Sequence, residues 1–216
     1  EIMSRNSLIY IVLWHLIQLL IEINCQTAAF KPLQRRLHTA TLINDKLYIL
    51  GGITPNDLAP KETFLYLDVS IPFNTNELKW NDLSATTNNI FPPHRYAAAI
   101  KGGANNSTLF LYGGETLTGG AMSSLVYTYD TQNNLWRTPE ITGIPPTKMR
   151  GVTLVVDFNE LIYIFGGAFN GYTNDMFVLD SINLSWKNAS SINAPSPRVQ
   201  YGAVFLPNKN IIYMGM

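Results

Sequence analysis

The chain has 216 residues, 46% of them hydrophobic, 12% aromatic and 14% charged, with fifteen basic residues balanced by fifteen acidic ones. This composition describes a well-packed body with little solvating charge, and it excludes a molecule drawn as a whole to nucleic acid. Cys25 is the single cysteine, so no internal disulfide forms and packing alone must hold the fold.

The first elements belong to targeting rather than to fold. Arg5 precedes an apolar run over residues 8–20; polar Glu22 and Asn24 follow, then small Thr27, Ala28 and Ala29. A positive flank, a short greasy run and a small-residue exit predict a secretory signal peptide over residues 1–29, cleaved near Ala29. The run is shorter than the ~20 residues of a spanning helix, and His15 and Gln18 interrupt it. An uncleaved signal anchor and a buried core helix are the alternatives. The true start reads as Met3, and Cys25 falls beside the cleavage site, as signal filler or as a lipidation site. The expected location is secreted or on the extracellular face of the membrane, with membrane contact only if the segment stays as an anchor.

An internal repeat organises the rest. "KLYILGG", "TLFLYGG" and "LIYIFGG" each end an apolar run on two glycines, at Gly51-Gly52, Gly113-Gly114 and Gly166-Gly167, and the terminal "IIYMGM" is similar. An aromatic stands three residues before each pair, at Tyr48, Phe110 and Tyr163, and these three are expected at equivalent buried positions. A second apolar run ends on an acid, Asp68, Asp130 or Asp180, placed 17, 17 and 14 residues after the first glycine. Tryptophan follows six residues later at Trp136 and Trp186, and twelve later at Trp80, where residues 71–76 form an insertion.

The runs are short, rich in aromatic and β-branched residues and bounded by Gly, Asn or Pro, so they are strands. Asn-rich turns join the third strand of each copy to the fourth. In the second copy the strands are predicted at 96–100, 108–112, 125–130 and 135–138.

Repeats of roughly 50 residues with four strands are propeller blades. The double glycine, the spaced acid-ended strand and the tryptophan resemble the kelch repeat from Arg35 to Met216, and within that family the propeller of galactose-oxidase-like secreted proteins. The fold class is therefore all-β: a kelch-type β-propeller over residues 30–216, with complete blades near 35–83, 93–140 and 148–190 and a partial fourth at 196–216. A propeller closes on ~4–8 blades, so the chain is expected to behave as a fragment that aggregates or pairs through open edges.

Arginines open every copy, at Arg35 (beside Arg36), Arg95, Arg150 and Arg198. The resemblance implies that they ring one channel mouth and hold acidic ligands, a task that suits the guanidinium fork. The competing role is to tie blades together through loop carbonyls. The resemblance also implies that the loops after the glycines, 53–63, 115–124 and 168–175, share a face with the loops joining one blade to the next, and Phe169 and Tyr172 are candidates for stacking on a sugar or a peptide. Sequons at Asn105, Asn106, Asn183 and Asn188 are candidate glycosylation sites on surface loops.

Galactose oxidase's copper site would need two histidines, two tyrosines and a cysteine joined to one tyrosine, as the resemblance implies. After cleavage only His38 and His94 remain, with no cysteine. No nucleophile elbow, phosphate loop or zinc spacing appears, and the glycine-rich "GGAMSS" and "KGGANNS" open no predicted helix. The sequence thus carries no catalytic, cofactor or metal site. It predicts a secreted or cell-surface recognition module that binds protein or glycan through one face, with no nucleic-acid partner. The alternative is an extracellular galactose-oxidase-like enzyme whose catalytic residues lie outside these residues.

Overall fold

A computed structural model describes residues 10–15, 30–87, 90–147, 149–190 and 192–215, and the strand side chains other than that of Asn188. The signal-peptide expectation and Cys25 therefore lie almost wholly outside the described residues. Only residues 10–15 of that segment are seen, as a short helical stretch. No described helix is long and apolar enough to cross a membrane.

The rest is built of antiparallel sheets. β1 (Arg36–Ile43), β2 (Lys46–Ile53), β3 (Phe64–Asp68) and β4 (Trp80–Asp82) form the first, in the order β1-β2-β3-β4. A 3-10 turn at Ser84–Thr87 and β5 (His94–Arg95) lead to β6 (Ala98–Gly102) and β7 (Thr108–Tyr112). β8 (Glu115–Thr116) pairs with β5 as a two-stranded ribbon, while β9 (Val126–Asp130) and β10 (Leu135–Arg137) complete the second sheet with β6 and β7. β11 (Leu154–Val156), β12 (Leu161–Phe165), β13 (Met176–Asp180) and β14 (Ser185–Asn188) form the third sheet, and β15 (Gly202–Phe205) with β16 (Ile211–Met214) a two-stranded fourth. First strands neighbour one another in order, β1 on β6, β6 on β11 and β11 on β15, as blades around an axis. The expected blades, three of four strands and a partial fourth, are found.

Blade 2 is buried on both faces, which is why its strands read as unbroken apolar runs. Along β7, Leu109 and Leu111 join a core with Tyr48, Leu50 and Phe64 of blade 1, and Phe110 and Tyr112 join Ile162, Ile164 and Trp186 of blade 3. Alternate side chains point to opposite faces of a strand, so one strand feeds two cores. The glue is aromatic: Phe64 stands edge-on to Tyr129 at 4.8 Å and to Trp136 at 5.3 Å. Each such ring buries about 150–250 Å² and adds about 0.5–1.5 kcal/mol per pair beyond its area.

Tyr48, Phe110 and Tyr163 are each the third residue of their second strand. Tyr48 and Phe110 are buried as expected. Tyr163 departs from the expectation and is only half-buried. It faces the fourth sheet, stacking on Phe205, and a two-stranded sheet covers less of it than a four-stranded one.

The insertion in the first copy does not disturb the ladder. Trp80 pairs with Leu67, Trp136 with Tyr129 and Trp186 with Leu179, in each case the residue before the strand-ending aspartate. The extra residues loop out, and Thr75–Leu78 wall a groove of about 480 Å³ over Ile49 and Leu65 of blade 1, with residues 30–33 also lining it. Those aspartates end their strands for a reason. Asp130 accepts the N–H groups of Gln132 and Asn133, and Asp180 those of Ile182 and Asn183, so the carboxylate organises the turn. Hydrogen bonds to the ionised form hold all three carboxyls below their ordinary range, led by the side chains of Ser70 at Asp68 and Asn133 at Asp130 and by the Asn183 backbone at Asp180.

The double glycines have two separate tasks. A Cβ on the first would strike the start of the next blade: the His94 ring or carbonyl at Gly51, the Met149 carbonyl at Gly113, the Arg198 carbonyl at Gly166. A Cβ on the second would strike its own blade, at Arg36 and His38, Ala97 or Val152.

Candidate binding cleft

The start of each blade is set by one backbone feature. Leu37, Tyr96, Gly151 and Gln200 all adopt the left-handed region, with φ of 59°, 58°, 68° and 52°. They are bonded in series: Tyr96 N–H donates to Leu37 O at 3.2 Å, Gly151 N–H to Tyr96 O at 2.9 Å, and Gln200 N–H to Gly151 O at 2.7 Å. Tyr96 at positive φ also moves the first strand of blade 2 to 98–102, two residues beyond the predicted 96–100.

This row settles a register that the arginines alone left open. Arg36, Arg95 and Arg150 stand one residue before it, as does Val199; Arg35, His94, Met149 and Arg198 stand two before. Arg36, not Arg35, is therefore the counterpart of Arg95 and Arg150, and Arg198 is displaced by one position. The four expected arginines do not form one ring. Arg35 turns inward, donating to Glu62 O at 2.8 Å with its side chain 5% exposed. Burial lowers its pKa, against the opposing pull of Glu62 and Asp82. Arg36 reaches out to Asp57 at 2.5 Å. Arg198 is half-buried and bonds the Ser196 carbonyl and hydroxyl. Arg35 and Arg198 do bond carbonyls, but those of Glu62 and Ser196 in their own blades, so neither contact ties two blades together.

Arg95 and Arg150 are brought together, and a residue not anticipated as part of the site does it. Arg95 Nε donates to Glu115 Oε1 at 2.9 Å, and Arg150 Nη1 donates to Glu115 Oε2. The Glu115 side chain is 6% exposed, those of Arg95 and Arg150 27% and 50%. Backbone pairing fixes the carboxylate, since Glu115 on β8 lies opposite Arg95 on β5. Two cations on one buried anion leave a net positive charge. It faces a cleft of about 300 Å³ between blades 2 and 3, lined also by Tyr96, Gly151, Tyr172 and Gln200. The Arg95 guanidinium lies 5.6 Å from the Tyr96 ring centre, within cation–π range. The sequence signal for Glu115 was available: the residue after the double glycine is acidic here, where the other copies have Ile53 and Ala168.

Of the loop aromatics, Tyr172 lines this cleft and Phe169 an adjoining hollow with Glu115 and Arg150; they are 69% and 52% exposed. Of the sequons, Asn105 is exposed and Asn106 half-buried in the β6–β7 turn, while the Asn183 side-chain nitrogen is engaged by Asp180 at 3.0 Å. The side chain of Asn188 lies outside the described residues.

His38 and His94 both lie outside the cleft. His38 is exposed at the edge of the groove over blade 1, and its pKa is lowered by partial desolvation and by Arg35. His94 is buried against Gly51 with Nδ1 facing Pro92 O at 3.2 Å, and burial pushes its pKa down to about 4. Among the described residues no group of three or more His, Cys, Asp or Glu side chains is placed to hold a metal.

The KLHDC2/KLHL20/DRC7 Kelch-repeats domain matches residues 37–216. The chain belongs to the kelch-repeat family. This kelch chain is 28% identical to rat Kelch domain-containing protein 3 over 196 residues, covering 82% of this chain and 47% of the relative. The bovine protein of that name is 30% identical over 69% of this chain and 40% of its own length. Bovine Rab9 effector protein with kelch motifs is 28% identical over 79% of this chain and 44% of the relative. The chain thus spans less than half the length of these curated relatives.

Proposed function

We propose that this kelch chain is a protein-recognition module that takes an acidic segment of its partner into the cleft between blades 2 and 3. The observation that carries this is the arrangement of Arg95 and Arg150, from successive blades, on one buried carboxylate beside Tyr96 and Tyr172. Glu115 holds the two guanidiniums at a set spacing, and their remaining N–H groups stay available for charge-assisted bonds to a carboxylate. The tyrosines supply flat apolar area for the residues on either side of it. A relative whose name is Rab9 effector favours a protein as the partner. Binding of a glycan has only the exposed Phe169 and Tyr172 in its favour.

Peptide arrays followed by fluorescence anisotropy test this. Acidic peptides should bind more tightly than their amide counterparts and weaken with salt. Arg95→Ala and Arg150→Ala should each lower affinity roughly tenfold. Unchanged binding in the double variant would exclude the cleft.

Export is part of the proposal only through residues 1–29. Its support is the charge, length and small-residue exit of that segment, and N-terminal sequencing of secreted protein tests it: an intact Met3 or Ser4 terminus on membrane-bound material would favour the anchor instead. Glycosylation, if the chain is exported, fits Asn105 best because it is exposed on a turn.

A further inference from the structure

We propose that Asn170–Gly171 is a deamidation site whose product adds a carboxylate beside Arg150 and so weakens the cleft for acidic ligands; this consequence rests on the function proposed above.

It is the one Asn-Gly pair in the 216 residues. The pair forms the tip of a tight loop on the cleft face, between Ala168 and Tyr172, which bridge each other. Both residues are exposed, with φ of 53° at Asn170 and 139° at Gly171, and nothing lies within 4 Å of the place a Gly171 Cβ would occupy. The Gly171 carbonyl is used, accepting from Phe169 N–H at 3.0 Å. Its N–H donates to no described residue, and neither does the Asn170 side chain. The attacking nitrogen and the carbon it attacks are therefore both free to move.

The chemistry needs only solvent. Gly171 nitrogen, losing its proton to water, attacks Asn170 Cγ; the new N–Cγ bond forms as the Cγ–Nδ2 bond breaks and ammonia leaves. Water then opens the five-membered imide at either carbonyl, giving aspartate or isoaspartate. Glycine favours closure because it has no side chain to obstruct the approach and is free to rotate.

The position gives the reaction its effect. Ala168 N–H donates to Arg150 O at 3.1 Å and Arg150 N–H to Ala168 O at 3.3 Å, so the loop is tied to the Arg150 backbone. Asn170, Arg150 and Glu115 line one hollow of about 170 Å³. A carboxylate at residue 170 adds one negative charge where two guanidiniums had exceeded one carboxylate by one. The local excess is cancelled, irreversibly and at a rate set by the loop.

The experiment is peptide-mapping mass spectrometry of the purified chain aged at physiological pH and temperature, with isoaspartate detection. Residue 170 should convert ahead of every other asparagine, and Gly171→Ala should slow it roughly tenfold. Conversion elsewhere first, or an unchanged Asn170, would overturn the site. Asn170→Asp should then lower affinity for acidic peptides roughly three- to tenfold at low salt, and leave neutral peptides unaffected. If Asn170→Asp changes nothing while Arg150→Ala abolishes binding, the regulatory effect is refuted. Should Arg150→Ala also change nothing, the binding function has failed and the deamidation chemistry stands or falls on the mass spectra alone.

Discussion

The seam between blades 1 and 2 and the seam between blades 3 and 4 are made from the same repeat residues and differ in how firmly they are held. In the first, Tyr48 and Phe64 are enclosed by Tyr129, Trp136 and Phe91. In the second, Phe165 packs on Tyr201 and Tyr213 nearest the double glycine, but Tyr163 is half-open and Phe158, edge-on to Phe205, is 72% exposed. The difference teaches that a repeat position is not an environment. A consensus aromatic is as buried as the neighbouring sheet is complete, which is the general behaviour of stacked repeats.

The largest effect should come from the first glycines. Gly51 and Gly166 share nearly the same φ, 68° and 65°, so backbone strain from a new Cβ is the same at both. Gly51→Ala drives that Cβ to 2.7 Å from a buried His94 ring, Gly166→Ala to 2.7 Å from the carbonyl of half-buried Arg198, which leads into the two-stranded fourth sheet. A seam packed between two four-stranded sheets cannot yield, whereas one that borders a two-stranded sheet can. Urea unfolding should show a loss of about 4 kcal/mol for Gly51→Ala and about half that for Gly166→Ala. Equal losses would mean that the two seams are equally rigid.

Next are the aromatics. Tyr48→Ala removes a ring enclosed on all sides and should cost about 3 kcal/mol, while Tyr163→Ala should cost about 1 kcal/mol. The same unfolding curves decide it, and a larger cost at Tyr163 would reverse the comparison.

The smallest of the three is a pH dependence confined to the first seam. His94 has its folded pKa pushed down to about 4 from 6.5, so folding favours the neutral ring. That stability is present in full above pH 6.5 and is lost as pH falls towards 4, on the order of 3 kcal/mol at most. The equivalent residue in blade 3 is Met149, which does not titrate. His94→Met should therefore flatten this part of the stability–pH profile, read by thermal melts across the range. An unchanged profile would show that the first seam is not where acid acts.

How much of this was legible beforehand follows from which interactions are local. The blades were readable because glycine pair, strand aromatics, acid and tryptophan are consequences of short-range geometry. The aspartate at the end of a third strand collects N–H groups two and three residues on, and the glycines permit positive φ. The insertion at residues 71–76 was legible as an insertion from the longer spacing to Trp80, although its share in walling the groove over Ile49 and Leu65 was not foreseeable. The cleft was half legible. Arg95, Arg150 and Tyr172 stood out by position in the repeat, but Glu115 was marked only by its departure from Ile53 and Ala168 at the same position, a signal that was passed over, and Arg35 was mistaken for an equivalent of Arg95.

By itself the sequence determined an all-β kelch architecture, with three four-stranded blades and a partial fourth. Tertiary structure alone decided which arginines meet. Leu37, Tyr96, Gly151 and Gln200 are bonded to one another across 49 to 59 residues of chain each time, and that series sets the register at which every guanidinium emerges. A one-residue offset is invisible to composition and spacing, yet it turns Arg35 into the blade and leaves Arg95 and Arg150 on one buried carboxylate. The reason is physical: periodicity along the chain fixes which face of a strand is apolar, whereas convergence of charges depends on backbone hydrogen bonds between blades.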